Sequence, residues 1–294
     1  MSRFKNVGIV GRRETTEHIA ESVIQLYQYL LERDVDISLD KHAANAIDNP
    51  ALPVFDKQEL GDRCDLVVVV GGDGSMLSAG RTLAHYDVQV VGINRGGLGF
   101  LTDIAPDELE QKMDQVFDGD YSTEDRFLLS TRICSEVGKS NCGPALNDVV
   151  LSSGSASRMI EFELYIEDQF VYSQRSNGLI VSTPTGSTAY ALSGGGPIMH
   201  PALDAIVLVP MFPHTLTSRP IVIDGNKAIR IVVGSLHDIN PLVSCDGHEN
   251  FTVEPGDELH INKLDDVLTL IHPNPTNYYE NCRRKLGWGS KLGG

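Results

Sequence analysis

The sequence predicts two domains of different class, an α/β domain followed by a β-sandwich-like domain, with the ligand site in the cleft between them. Three observations predict this. Strand and helix signals alternate up to about residue 125. Beyond residue 126 ten short apolar segments are separated by Gly, Pro, Asn, Asp and Ser. The 294 residues are enough for two domains at about 150 residues each, both able to bury a core.

In the first part, residues 6–10 (NVGIV) read as a buried strand. Residues 15–32 read as a helix, because Ile19, Val23, Leu26, Leu30 and Leu31 recur at helical spacing. A short strand is expected at 35–39. Residues 66–70 (LVVVV) form a continuous branched run of strand length, as in a parallel strand covered on both faces. A helix follows over 76–85 and a strand over 88–93. This alternation is the pattern of a parallel, Rossmann-like sheet with crossover helices.

In the second part, strands are expected at 127–134, 149–153, 159–166, 170–174, 179–183, 205–209, 228–234, 249–253, 258–262 and 267–271. Residues 160–166 alternate cleanly, with Ile160, Phe162, Leu164 and Ile166 on one face. Short strands at this spacing argue for a sandwich. The boundaries are 1–125 for the α/β domain and 126–271 for the β-rich domain. The strand signal fades from His272, and the tail ends in Arg283-Arg284-Lys285 beside Trp288, the only tryptophan.

Composition excludes several functions. Forty Asp and Glu against 24 Lys and Arg give a net charge of −16, which repels phosphate backbones and anionic lipid. Nucleic acid and membrane are therefore not expected partners. No apolar run approaches the roughly 18 residues of a membrane span, and the first residues turn charged too soon for a secretory leader. The five cysteines are scattered, without metal-ligand spacing, which suggests free thiols in a cytoplasmic protein. No metal site of side chains is expected.

The sharpest motif is Gly71-Gly72-Asp73-Gly74, directly after LVVVV. Open α/β sheets bind ligands at the carboxyl ends of their strands. Glycines there let a ligand approach the main chain, and the next helix presents free N–H groups suited to phosphate. Asp73 in their midst can accept a proton from an attacking hydroxyl or hold a divalent cation carrying polyphosphate. A helix-capping Asp would explain a lone Asp-Gly, but three glycines exceed what capping requires. A second glycine-rich segment, residues 92–101, follows the next strand and is expected beside the first. GxGxxG and GxxxxGK[ST] are both absent, so a nicotinamide dehydrogenase and a P-loop nucleotidase are poorly supported.

Residues 182–190 (STPTGSTAY) are the second strong motif. Small hydroxyls with backbone N–H groups can read a nucleobase edge, Ser187 or Thr188 can cap a short helix, and Tyr190 can stack or bond a ribose. Asn147 and Asp148, at a strand start, are on their own ordinary turn formers.

GGDG, the Asn147–Asp148 pair and STPTGSTAY, with residues 92–101, Phe212–Leu216 and Cys245-Asp246-Gly247, together resemble the NAD kinase family, in its proteobacterial form. GGDG alone also suits lipid kinases and phosphofructokinases. The resemblance implies ATP-dependent phosphorylation of the 2′-hydroxyl of the adenosine ribose of NAD, giving NADP. It implies a divalent cation (magnesium), homo-oligomers (dimer or tetramer) and a tail, 272–294, that returns to the first domain. By motif, Asp73 would accept the proton, and Gly71, Gly72 and Gly74 would line the phosphates. Asn147 and Asp148 would bind adenine and ribose. Thr188, Ala189, Tyr190, Ala191, Leu192 and Ser193 would wall the adenosine. Arg158, Arg175 and His248 would contact substrate. The acidic partner of Asn147 is commonly Glu in that family, and here it is Asp148. Asn177 stands where the family commonly has Asp, which removes a negative charge near the expected nicotinamide end and implies altered dinucleotide affinity. Two alternatives are another GGDG-type kinase, acting on lipid or sugar, and a non-catalytic NAD(H) sensor.

Overall fold

The computed structural model describes residues 3–14, 16–47, 51–96, 99–135, 138–154, 158–234 and 241–289. Gly97 and Leu98 of the second glycine-rich segment lie outside them. The chain divides into two compact units, Met1–Asp125 with Leu268–Gly294, and Arg126–Val267.

The first unit runs β1 (Asn6–Val10), α1 (Glu17–Leu31), β2 (Asp36–Asp40), α2 (Lys41–Ala44), β3 (Val54–Phe55), α3 (Lys57–Arg63), β4 (Leu66–Gly71), α4 (Asp73–Leu83), β5 (Gln89–Asn94) and α5 (Leu109–Asp118). Its strands lie in the order β3-β2-β1-β4-β5 and all pair in parallel. Every residue of β4 is buried. Burying each of its branched side chains is worth about 1.5–3 kcal/mol relative to leaving it exposed. Val68 and Val70 pack with Ile19, Val23, Leu26 and Leu30 of α1 and with Met113 and Val116 of α5. α5 ends at Gly119, whose φ of 83° is the left-handed conformation of a helix stop. The doublet β3 carries too few residues to be seen in the sequence.

The second unit contains β6 (Tyr121–Ser135, from Arg126 on), β7 (Gly138–Ala145), β8 (Asp148–Ser152), β9 (Ile160–Ile166), β10 (Gln169–Ser176), β11 (Gly178–Ser182), α6 (Tyr190–Ser193), β12 (Ala205–Met211), β13 (Ile221–Asp224), β14 (Ile229–Val233), β15 (Leu242–Cys245), β16 (Glu249–Thr252) and most of β17 (Glu258–Pro273). One antiparallel sheet has the order β13-β12-β11-β8-β15-β16. Facing it, β9 lies between β10 and β14, and β14 pairs with residues 258–261 of β17. Ile160, Phe162 and Leu164 of β9 meet Leu179, Val181, Ile206 and Leu208 of the other sheet in one core, which makes this unit a sandwich. The outer face of the six-stranded sheet carries Val150, Ile180, Val207 and Val209, covered by Ala191 and Met199.

Two expected strands, 258–262 and 267–271, are one. Residues 263–266 continue extended, and Thr269 and Leu270 pair in parallel with Gln89 and Val90 of β5 in the first unit. From there the chain runs on into α7 (Tyr278–Leu286). β7 escaped the sequence reading because its GKSNCGPA has turn composition.

Candidate active site

GGDG lies where β4 becomes α4. Gly71 closes the strand, Gly72 is the helix N-cap, and Asp73 is the first helical residue. Asp73 is therefore not the capping residue of α4. Its carboxylate accepts instead from the glycine-rich segment after β5: the Phe100 amide N–H at 2.7 Å on Oδ2, and the Leu101 amide N–H at 3.0 Å on Oδ1. Oδ2 also accepts from Lys285 Nζ at 3.3 Å. The two glycine segments thus meet on one carboxylate at the carboxyl end of the parallel sheet.

Gly99 shows how close this packing is. A Cβ there would lie 2.2 Å from Asp73 Oδ1 and 2.3 Å from Thr102 Oγ1, so no side chain fits. Gly74 is the opposite case. It is exposed, and a Cβ would meet nothing within 4 Å. Glycine inside a helix costs about 1 kcal/mol relative to alanine, and the protein's own packing does not require it here. Space kept open over the first turn of α4 suits a ligand approaching its backbone.

The basic cluster at 283–285 stands out in the sequence, but no local pattern gives it a role. Lys285 lies in the last turn of α7, its side chain 9% exposed, with Nζ 3.7 Å from the centre of the Phe100 ring. Burial draws its pKa below the usual lysine value, and Asp73 acts in the opposite sense.

The second cluster lies in the sandwich unit. Asp246, at a left-handed φ of 51°, turns its carboxylate onto the start of β8. It accepts from the amides of Leu146 at 2.9 Å, Asn147 at 2.8 Å and Asp148 at 3.1 Å. The hydroxyls of STPTGSTAY secure the same stretch from the other side. Thr183 Oγ1 donates to Leu146 O at 2.6 Å, and Ser182 Oγ donates to Asn147 O at 3.1 Å. A Cβ on Gly186 would stand 2.1 Å from Asn147 O.

This corrects the expected chemistry of that motif. Ser182, Thr183, Thr185 and Ser187 are buried and bonded within the protein, so they do not read a base edge. Nor does Ser187 or Thr188 cap the following helix. Ser187 Oγ donates to Pro184 O at 2.6 Å and accepts from Met199 N, Thr188 Oγ1 donates to Thr185 O, and Ala189 is the cap of α6.

Asn147, Asp148, Ala189 and Tyr190 do come together. With Val150, Ser152, Ser244, Asp246 and Gly247 they line a cavity of about 370 Å³. Tyr190 is 46% exposed there, and Asp148 only 5%. Burial first, and the Asp246 charge second, push the Asp148 carboxyl up to about 7. Thr188 and Leu192 are half-buried, Ser193 is exposed, and Ala191 is fully buried beneath them. Arg158, Arg175, Asn177 and His248 do not line this cavity. Exposed Arg175 lies 4.0 Å from Glu161, Asn177 accepts from Ser153 N, and His248 approaches Asp246 O through Nδ1 at 3.2 Å. Among the described residues no group of three or more His, Cys, Asp or Glu could hold a metal ion.

The N-terminal domain model of the ATP-NAD kinases matches residues 7–121, and their C-terminal domain model matches 146–272. The chain is similar to NAD kinases of Azotobacter vinelandii (58% identical) and Ectopseudomonas mendocina (57% identical), each over all of this chain and 99% of the relative. A crystal structure of yeast NADH kinase complexed with NADH shares the fold, at 24% identity and a TM-score of 0.88, covering 98% of this chain and 89% of that one. So does an NAD kinase from Archaeoglobus fulgidus in complex with ATP, at 25% identity and 0.72, covering 96% and 97%. Matches to both domains, in order and over most of the length, set aside a lipid or sugar kinase. The chain belongs to the ATP-NAD kinase family, enzymes that phosphorylate NAD to NADP.

Proposed function

We propose that Asp73 is the base that takes the proton from the 2′-hydroxyl of the adenosine ribose of NAD as that oxygen attacks the γ-phosphorus of ATP. The new O–P bond forms, the bond from the γ-phosphorus to the β–γ bridging oxygen breaks, and ADP leaves. The observation that carries this reading is the held carboxylate at the mouth of α4. Phosphoryl transfer needs position and charge neutralisation more than covalent chemistry. The α4 N-terminus at Gly71, Gly72 and Gly74 supplies backbone donors for phosphate. No cage of ligating side chains is built among the described residues, so the divalent cation, magnesium, arrives as the nucleotide's own counter-ion, as is usual for that ion.

Asn147 and Asp148 bind adenine and the ribose hydroxyls, with Tyr190 against the sugar and Thr188 to Ser193 as the supporting wall. Arg158, Arg175 and His248 contact the dinucleotide further along. The protein self-associates as a dimer or tetramer. The exposed apolar side chains Phe212 and Leu216, 77% and 93% accessible, support that reading. Light scattering in solution tests it.

The deciding assay is NADP formation from NAD, ATP and magnesium. Asp73→Asn is expected to abolish turnover while NAD binding stays measurable by titration. Near-normal kcat in that variant would remove Asp73 as the base, and no NADP from the unmodified protein would favour a non-catalytic sensor. Titration of NAD against Asn177→Asp tests the missing charge, with an unchanged dissociation constant ending that idea.

A further inference from the structure

We propose that Lys285 is a positioning residue of the active site, fixing the orientation in which the Asp73 carboxylate meets the substrate hydroxyl. The inference rests on the reading of Asp73 as the base.

A carboxylate offers about four acceptor directions. On Asp73 the Phe100 amide and Lys285 Nζ use those of Oδ2, and the Leu101 amide uses one on Oδ1. The ammonium also rests on the ring of Phe100, the residue whose own amide bonds Asp73. Lysine, aromatic ring, amide and carboxylate therefore close a ring of contacts that resists rotation of the Asp73 side chain.

Stability alone does not explain a lysine here. Drawing an ammonium from water is costly, and an apolar side chain of similar length would pack the site at least as well. The segment that delivers it is firmly tied within the same unit. Lys112 Nζ and Gln115 Nε2 both donate to Asn274 O, at 3.0 and 2.8 Å. His272 sits between Asp103 and Glu124. Asn277 caps α7 by accepting from the amides of Tyr279 and Glu280, and Cys282 is fully buried. A chain end anchored at so many points to bring one buried cation to one carboxylate is built for placement.

The test compares Lys285→Met, Lys285→Ala and Lys285→Arg with Asp73→Asn in the full-length enzyme. Lys285→Met is expected to lower kcat roughly 10- to 100-fold, the scale of losing alignment, with KM for NAD nearly unchanged. Arginine should restore part of the loss. Added ethylammonium should raise the turnover of Lys285→Ala, which repair of a purely structural defect would not do. If the Met and Ala variants keep kcat within about twofold while Asp73→Asn is dead, the inference falls and the base assignment stands. If Asp73→Asn is itself active, the base assignment falls first. Phe100→Leu keeps the backbone bond and removes the ring, and it decides the matter should the lysine variants not fold. A several-fold lower kcat supports the inference, and wild-type kcat overturns it.

Discussion

At the scale of single residues, the site is governed by what each polar atom is already bonded to. Gly99→Ala puts a methyl where Asp73 Oδ1 stands, so turnover should fall at least about 100-fold, with NAD affinity retained because the Asn147 cavity is untouched. Steady-state kinetics beside NAD titration checks this. Asp148 makes a prediction about pH. Its carboxyl is near 7 in the folded chain and about 3.9 in an unfolded one, so the native state holds the proton more tightly. The stability this contributes is complete below the unfolded value and is lost as pH rises through about 7. Asp148→Asn should therefore gain on the ligand-free wild type between pH 5 and pH 8, by a few degrees in Tm. Where a motif is contiguous, the sequence singles out residues that the structure gathers, as with Asp73 beside residues 99–101 and Asn147 and Asp148 in one cavity. Residue use was not legible. Ser182 and Thr183 look like ligand-binding hydroxyls, and only burial shows that they serve Leu146 and Asn147. Lys285 stands 212 positions from Asp73, and no local pattern announces such a pairing.

At the scale of elements, legibility followed periodicity. The run 66–70 could be read because five branched residues in succession fit a fully covered parallel strand, and α1 because its apolar residues recur on one face. β7 and β3 were invisible, one by composition and the other by length. The joining of 258–262 and 267–271 was hidden because Lys263, Asp265 and Asp266 look like a turn yet continue as strand. The short α7 depends on its cap, so Asn277→Ala should cost about 1 kcal/mol in that helix. Because α7 carries Lys285, this variant should lose kcat by a small factor while KM for NAD holds. Hydrogen exchange at the α7 amides, set beside the kinetics, would show fraying and lost turnover together or neither.

At the scale of the whole molecule, two units of different class were foreseeable from the change in pattern near residue 125, and the charge of −16 shapes what they meet. On the proposed reading, local donors bind ATP against a repelling background. Screening that background up to about 0.15 M salt should raise kcat/KM for ATP at fixed free magnesium, whereas a net attractive field would lower it. Among the described residues no helix is long and apolar enough to cross a membrane. The first unit is discontinuous in sequence, and this bears on how the protein is made. Residues 126–267 are synthesised before 268–294, so the described strands of the sandwich are in the chain while the first unit still lacks Thr269, Leu270 and α7. A product whose translation stops early would hold the cavity at Asn147 and Tyr190 without the lysine at the Asp73 carboxylate. Its unfinished first unit would mark it for proteolysis.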